Sequence, residues 1–254
     1  MIIWLSSYLK SGDELVKTLL SSYVFSQDGS YNPELLGNIK QFPDNELFKQ
    51  LGVDINNQEE MYKNYISSQK LYSDEKSIRF LKTHSCFVNR KDFQFTDKHN
   101  TLGVIYIVRD PRSILFSLTN DLKHTTEQSS EIILTHQYLG KDNPNYCSTY
   151  LGSWKYHYNS WKIFNKFNRY CIIRYEDLIQ DTEKVFLEIL KFISRMGKVR
   201  FTVDKNKLQN TLKTCDLVKI QEFEKKENSS MNKEIQANLE KELENEMREL
   251  YYLK

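Results

Sequence analysis

Apolar runs recur at four places along the chain, and each is followed by a polar turn or an amphipathic pattern. The runs cover Ile2–Tyr8, Ser77–Lys82, Val104–Val108 and Tyr170–Arg174. Continuous apolar strands that alternate with amphipathic helices are typical of a parallel sheet buried on both faces. The pattern therefore predicts an α/β fold, a three-layer α/β/α sandwich around a central parallel sheet.

The segments between these runs are more polar and carry proline turns. Residues 28–75 and 123–150 are expected to form short helices that cap the sheet and contribute to an acceptor side. Near the end of the chain, an apolar stripe at helical spacing predicts one C-terminal helix over residues 233–253; its members are Ile235, Leu239, Leu243, Met247 and Leu250. The chain shows no internal repeat, so residues 1–254 are expected to form a single domain.

Composition narrows the class of protein. The formal net charge of the 254 residues is only +2, whereas nucleic-acid binders usually carry a larger, clustered basic excess. The four cysteines are far apart and show no metal-ligand spacing, which favours reduced thiols in a cytoplasmic protein. No apolar run is long enough to span a membrane. We therefore expect neither a nucleic-acid partner nor a membrane span; the sequence does not address oligomeric state.

Candidate ligand-binding residues follow the apolar runs, because parallel α/β sheets bind ligands at the carboxyl ends of their strands. A turn leading into a helix offers backbone N–H groups and a positive dipole end, and nearby cations add to the attraction for an anion. The set suits a ligand with phosphate at more than one place. It comprises Lys10, Ser11, Gly12, Lys82, Thr83, His84, Arg109, Asp110, Tyr175, Glu176 and Asp177.

Two other groups of residues are expected to have structural roles. Glu176 and Asp177 are expected to cap a helix or form ion pairs rather than act as acids. An aromatic group at helical spacing, made of Trp154, His157, Tyr158 and Trp161, is expected to pack in the core, and a contribution to an acceptor pocket stays open.

Several motifs occur in a fixed order along the chain. They are "WLSSYLKSGDELVK", "FLKTHSCF", "VIYIVRDPRSILFSL", "YLGSWKYHYNSWK", "CIIRYEDLIQDTEKVFLEILKFI" and "VKIQEFEKKEN". Together they resemble the PAPS-dependent sulfotransferase family, which takes a sulfuryl group from 3'-phosphoadenosine 5'-phosphosulfate (PAPS). The resemblance implies a P-loop-NTPase-like fold and PAPS as co-substrate, without a metal.

The resemblance also implies roles for individual residues. His84 would act as general base on the acceptor, and Lys82 would contact the sulfuryl oxygens. Lys10 would contact the 5'-phosphate and the bridging oxygen, where charge develops as the sulfuryl group leaves. The remaining assignments are Ser11 and Gly12 to the phosphate loop, Arg109 and Ser117 to the 3'-phosphate, and Tyr175 to the adenine site.

The phosphate loop departs from the family pattern. Asp13, Glu14 and Leu15 stand where the family carries Thr or Asn, then Thr, then Trp, and Leu9 replaces a proline. The two carboxylates would either repel a phosphate or point outward and stabilise the start of the helix. The basic, glycine-containing loop that closes over the 3'-phosphate in the family has no counterpart after "EKKENSS".

Three functions are compatible with these motifs. The first is a PAPS-dependent sulfotransferase that acts on a hydroxyl or amine of a small metabolite or carbohydrate. The second is a catalytically degenerate member of the family that serves as a binding or scaffold protein. The third is a P-loop kinase, but the P-loop requires glycines ahead of its lysine, and Ser6, Ser7, Tyr8 and Leu9 precede Lys10.

Overall fold

A five-stranded parallel sheet forms the centre of the protein. The computed structural model describes residues 1–72, 77–140, 147–215 and 232–254. In the sheet, each strand runs parallel to its neighbours in the order β2-β3-β1-β6-β9. Two antiparallel pairs, β4–β5 and β7–β8, lie outside it. The strands are β1 (Ile2–Ser7), β2 (Lys40–Gln41), β3 (Arg79–Thr83), β4 (Asn89–Arg90), β5 (Phe93–Gln94), β6 (Thr101–Val108), β7 (Gln137–Leu139), β8 (Thr149–Gly152) and β9 (Tyr170–Arg174).

Helices cover both faces of the sheet. Those described are α1 (Asp13–Phe25), α2 (Asn45–Gln50), α3 (Gln58–Tyr72), α4 (Pro111–Leu122), α5 (Thr126–Leu134), α6 (Trp154–Trp161), α7 (Tyr175–Gln180), α8 (Thr182–Met196), α9 (Lys205–Thr214), α10 (Lys233–Glu242) and α11 (Glu244–Glu249). Short 3-10 helices cover Pro33–Asn38 and Lys162–Phe167. Within the described ranges, none of the helices has the length and apolar character that crossing a bilayer requires.

The alternation of side chains along β1 divides the core in two. Ile2 and Trp4 belong to one buried cluster, while Ile3 and Leu5 belong to the other. Successive side chains of a strand point to opposite faces, so β1 is buried on both sides. Residues of α1, α7, α8 and α9 pack into the second cluster, and residues of α2 to α6, α10 and α11 into the first. The predicted three-layer α/β/α sandwich is confirmed.

The sequence predictions for the individual elements are largely confirmed. The four predicted strands form within a few residues of their expected bounds. The aromatic group of α6 is buried in the core, as expected for Trp154, His157, Tyr158 and Trp161. All four cysteines are unpaired thiols.

The structure corrects three expectations outside the main strands. Residues 28–75 contribute an edge strand as well as short helices, because the backbone at β2 pairs with Leu81 and Lys82. The described parts of residues 123–150 contain α5, β7 and the start of β8, and the Tyr138 and Tyr150 rings of the β7–β8 pair pack 5.0 Å apart. The predicted helix over 233–253 is two helices, because the backbone leaves helical geometry at Leu243. The motif "VKIQEFEKKEN" and the "EKKENSS" stretch lie outside the described residues.

Candidate active site

The loop between β1 and α1 has a backbone that only particular residues can adopt. Gly12 precedes the helix with a φ of 86°, in the left-handed region that favours glycine. A Cβ atom there would lie 2.1 Å from the Tyr175 ring, so the position has no space for a side chain either. Gly12 therefore brings the start of α1 against the start of α7.

The same loop has features that an anion can use. Because glycine has no side chain, Gly12 cannot cap the backbone N–H groups in the first turn of α1. The Ser11 hydroxyl is fully buried and has no hydrogen-bond partner in the described part of the chain. A buried hydroxyl without a partner is uncommon in proteins. N–H and hydroxyl donors beside the positive dipole end of a helix are suited to binding a phosphate.

Lys10 is held by α4 through its side chain and by Arg109, which follows β6, through its backbone. Its Nζ atom lies 2.5 Å from Asp121 Oδ2, and both side chains are about two-fifths exposed. Its carbonyl oxygen accepts a hydrogen bond of 3.0 Å from Arg109 Nη1. Sequence reasoning missed Asp121, although it follows Ser117 by four residues and so lies on the same face of α4.

Lys82 and His84 come together with the start of α1. Lys82 lies in β3, and its Nζ atom is 2.5 Å from Asp13 Oδ2; it also contacts the Glu14 carboxylate. His84 Nε2 lies 3.9 Å from the same Asp13 oxygen. His84 Nδ1 lies 2.9 Å from the carbonyl oxygen of Ser7, the last residue of β1. The predicted pair is therefore in one cluster, with a carboxylate between its members.

Asp13 takes the inward one of the two orientations that the sequence left open. Its side chain is 7% exposed and turned toward β3, whereas that of Glu14 is 65% exposed. Burial by itself would raise the pKa of Asp13, but the charges of His84 and Lys82 and the hydrogen bond from Lys82 outweigh it and lower the pKa. Burial would likewise lower the pKa of Lys82, and the two carboxylates raise it. Asp13 and Lys82 thus form a buried ion pair.

Arg109, Ser117 and Tyr175 form a second cluster. Arg109 follows β6 and is buried; its Nη1 atom lies 3.3 Å from Ser117 Oγ. The guanidinium carbon lies 4.6 Å from the centre of the Tyr175 ring. Ser117 and Tyr175 are buried as well. The eight-residue spacing from Arg109 to Ser117 places both at one point because α4 turns back beside the end of β6.

The acidic residues of the "YEDL" motif have structural partners. Glu176 accepts hydrogen bonds from the Asp110 backbone N–H at 2.8 Å and from the Tyr252 hydroxyl at 2.9 Å. Asp177 pairs with Arg174 at 3.2 Å. Burial raises the pKa of Glu176, and the hydrogen bonds it accepts oppose that rise. The expected structural role of these two residues is consistent with these contacts.

The Lys82–His84 cluster, the Arg109–Ser117 cluster and the loop between β1 and α1 lie at one edge of the sheet. His84 contacts the end of β1 through Ser7, Lys82 contacts the start of α1, and Arg109 contacts Lys10. In the described ranges, no three side chains of His, Cys, Asp or Glu gather as ligands for a metal ion. The edge therefore brings together backbone donors, the buried Arg109, an imidazole and a lysine that is paired with Asp13.

Comparison with known proteins gives the chain a family. The model of the sulfotransferase domain matches residues 2–250. No curated protein matches the sequence significantly.

Solved structures share the fold at low sequence identity. Retinol dehydratase in complex with androsterone and the inactive cofactor PAP is 15% identical, with a TM-score of 0.58, 97% of this chain covered and 80% of that one. The complex of retinol dehydratase with retinol and PAP is 14% identical, with a TM-score of 0.55 and coverages of 97% and 81%. Mouse sulfotransferase SULT7A1 complexed with PAP is 18% identical, with a TM-score of 0.51 and coverages of 85% and 64%. These likenesses establish the P-loop-like sulfotransferase fold. The family model matches nearly the whole length of the chain, which shows that the chain belongs to the sulfotransferase domain family.

Proposed function

We propose that the protein is a sulfotransferase that moves a sulfuryl group from PAPS to a hydroxyl or amine of a small metabolite or carbohydrate. The observation that carries the proposal is the meeting of three groups at one sheet edge: the Ser11–Gly12 loop, the Lys82–His84 pair, and Arg109 with Ser117. Similar structures that contain PAP support a 3'-phosphorylated adenosine nucleotide as the donor.

The residues at the edge fit most of that donor. The unpartnered Ser11 hydroxyl and the uncapped first turn of α1 would hold the 5'-phosphate. The planar guanidinium of Arg109 and the Ser117 hydroxyl would hold the 3'-phosphate. The Tyr175 ring would contact the adenine, and Lys10 would reach the 5' side after leaving Asp121. When bound, PAPS supplies the activated sulfuryl group.

His84 would accept the proton from the acceptor. The Ser7 carbonyl can only accept a hydrogen bond, and the Ser7 hydroxyl 3.3 Å from the same nitrogen can accept one too, so these contacts favour the proton on Nδ1. The lone pair of a neutral ring then lies on Nε2, on the side of Asp13 and Lys82. Proton removal in the transition state by a positioned imidazole contributes typically about 100-fold to 10,000-fold to a rate. Lys82 would stabilise negative charge on the sulfuryl oxygens.

A cavity of about 630 Å³ is the candidate acceptor site. Its volume is in the usual range for small-molecule pockets. Gln41 lines it and pairs in register with Lys82, which connects the cavity to the carboxyl end of β3. The two segments expected on the acceptor side both contribute to its wall, with Pro43, Asp44, Asn45 and Glu46 from one and Leu139, Gly140, Cys147 and Thr149 from the other.

A second candidate function is a binding or scaffold protein that has lost turnover. The observation in its favour is the buried Asp13 carboxylate on Lys82, because it places negative charge where the donor's sulfuryl end would bind. The kinase alternative is disfavoured, because the chain belongs to the sulfotransferase domain family.

Turnover with labelled PAPS separates these functions. The wild-type protein should transfer label to at least one member of a panel of sugars, phenols and amines. His84→Ala should abolish transfer and leave nucleotide affinity within about twofold. His99→Ala, which removes an exposed histidine, is the matched control and should be fully active. Full activity of His84→Ala would remove that residue as base, and nucleotide binding without transfer to any acceptor would favour the scaffold.

A further inference from the structure

The first residue of α1 places a negative charge inside the candidate site. Asp13 is 5% exposed as a whole residue, although acidic residues at a helix start usually remain in contact with water. By contrast, the side chain of Glu14, the next residue, is 65% exposed. The inward position therefore has to be explained by what Asp13 contacts.

Those contacts neutralise the cation expected to act on the ligand. Asp13 lies 2.5 Å from Lys82 Nζ, and Glu14 contacts the same ammonium from the surface. Two carboxylates thus share one lysine, with the His84 ring 3.9 Å from Asp13. With a neutral imidazole, this four-residue group carries a net charge of −1. The chain itself supplies the anionic partner that a ligand would otherwise supply to Lys82.

The geometry limits how far this effect extends. An anion that accepts a hydrogen bond from Lys82 Nζ, at about 3 Å, lies within about 5.5 Å of the Asp13 oxygen. At that separation, like charges repel appreciably even with solvent screening. Of the candidate 3'-phosphate group, Arg109 directly follows β6, which lies on the opposite side of β1 from β3, and Ser117 lies in α4 and contacts Arg109. Repulsion from Asp13 should therefore act mainly on the 5' end of a bound nucleotide.

We propose that Asp13 is a specificity-determining residue of the donor site, where its charge weakens binding of a nucleotide through the 5'-phosphate and spares the 3'-phosphate. The inference rests on the proposed function, because it requires an adenosine nucleotide at this edge. A free 5'-phosphate carries a charge of about −1.5 to −2 at pH 7, so adenosine 3',5'-bisphosphate is a sensitive probe. Adenosine 3'-monophosphate lacks the affected group and serves as the reference ligand.

The test is isothermal titration of the wild type and Asp13→Asn with both nucleotides. Asp13→Asn should bind the bisphosphate about 3-fold to 100-fold more tightly, the range given by a hydrated and a partly desolvated site. Its affinity for the monophosphate should change less than twofold. Glu244→Gln removes a carboxylate from an exposed pair with Arg248 and should change neither affinity. Asp13→Thr, with folding checked by circular dichroism, provides a second variant if the amide is poorly tolerated.

The outcomes distinguish the inference from the function on which it rests. Bisphosphate affinity that is unchanged or weaker in both Asp13 variants would overturn the role of Asp13 and leave the donor site intact. An equal gain for the two nucleotides would overturn it as well, because the effect would then not be specific to the 5' end. If no variant binds either nucleotide, the proposed donor site is wrong and the inference fails with it.

Discussion

Replacing Lys82 with methionine should reveal how strongly the Asp13 carboxylate depends on its counter-ion. Methionine keeps most of the apolar stem of lysine and removes the charge. The side chains of Lys82 and Asp13 are 11% and 7% exposed, so the substitution leaves a carboxylate with little access to water. Removing one partner of a buried ion pair costs about 3–5 kcal/mol. We expect about 3 kcal/mol, the lower end of this range.

Chemical and thermal denaturation at several pH values measure this effect. For a domain of this size, about 3 kcal/mol corresponds to a fall in Tm of about 6–12 °C. The pKa of Asp13 is lowered in the folded protein, so its ion pair stabilises the fold above the unfolded-state pKa of about 3.9. That stability is lost as the pH falls through the folded-state pKa. Without Lys82, burial raises the pKa of Asp13 in the variant, so the difference between wild type and Lys82→Met should be largest near pH 7 and should shrink as acid protonates Asp13 in the folded variant.

A double-mutant cycle provides the control. In an Asp13→Asn background the lysine has lost its buried partner, so Lys82→Met should cost much less there. We expect a coupling free energy of about 2 kcal/mol between the two sites, within the range seen for residues in contact. A coupling below about 0.5 kcal/mol, or a loss in Lys82→Met that does not vary with pH, would refute the buried ion pair as a source of stability.

Two further predictions test the nucleotide cluster and the loop. Arg109→Gln should weaken binding of adenosine 3',5'-bisphosphate about 10-fold to 150-fold more than binding of adenosine 5'-monophosphate in titrations. This range corresponds to the free energy of one or two contacts to a charged phosphate. Equal losses for the two nucleotides would reject the assignment of Arg109 to the 3'-phosphate. Gly12→Ala should lower the free energy of unfolding by at least about 2 kcal/mol in urea titrations, because the left-handed backbone and the Tyr175 ring both oppose a Cβ atom. Gly37→Ala, where a Cβ meets nothing within 4 Å, is its control, and equal stabilities of the two variants would contradict the argument.

The sequence carried most of the information about the sheet. Buried parallel strands appear in a sequence as continuous apolar runs, so β1, β3, β6 and β9 were predictable from the order of apolar residues along the chain. The two-residue edge strand β2 was not, because both of its side chains are exposed and only backbone pairing defines it. The break at Leu243 was equally hidden, since the buried stripe continues through it.

The sequence predicted which residues make up the candidate site better than it predicted the contacts between them. The positions of Lys82 and His84 followed from the carboxyl end of β3, where ligands of parallel sheets bind. The inward turn of Asp13 did not follow, because a carboxylate at a helix start is stabilised by the dipole in either orientation. The choice depends on Lys82, a residue 69 positions away in the chain, and pairing at that separation leaves no local signal.

The contact between the His84 ring and the Ser7 carbonyl has a further consequence. The acceptor of that hydrogen bond is main chain, and every residue type presents the same carbonyl at the end of β1. The Ser7 hydroxyl also lies 3.3 Å from Nδ1, so substitution of the Ser7 side chain removes that second contact and leaves the carbonyl as acceptor. The backbone path at the end of β1 thus favours Nε2 as the basic nitrogen of His84.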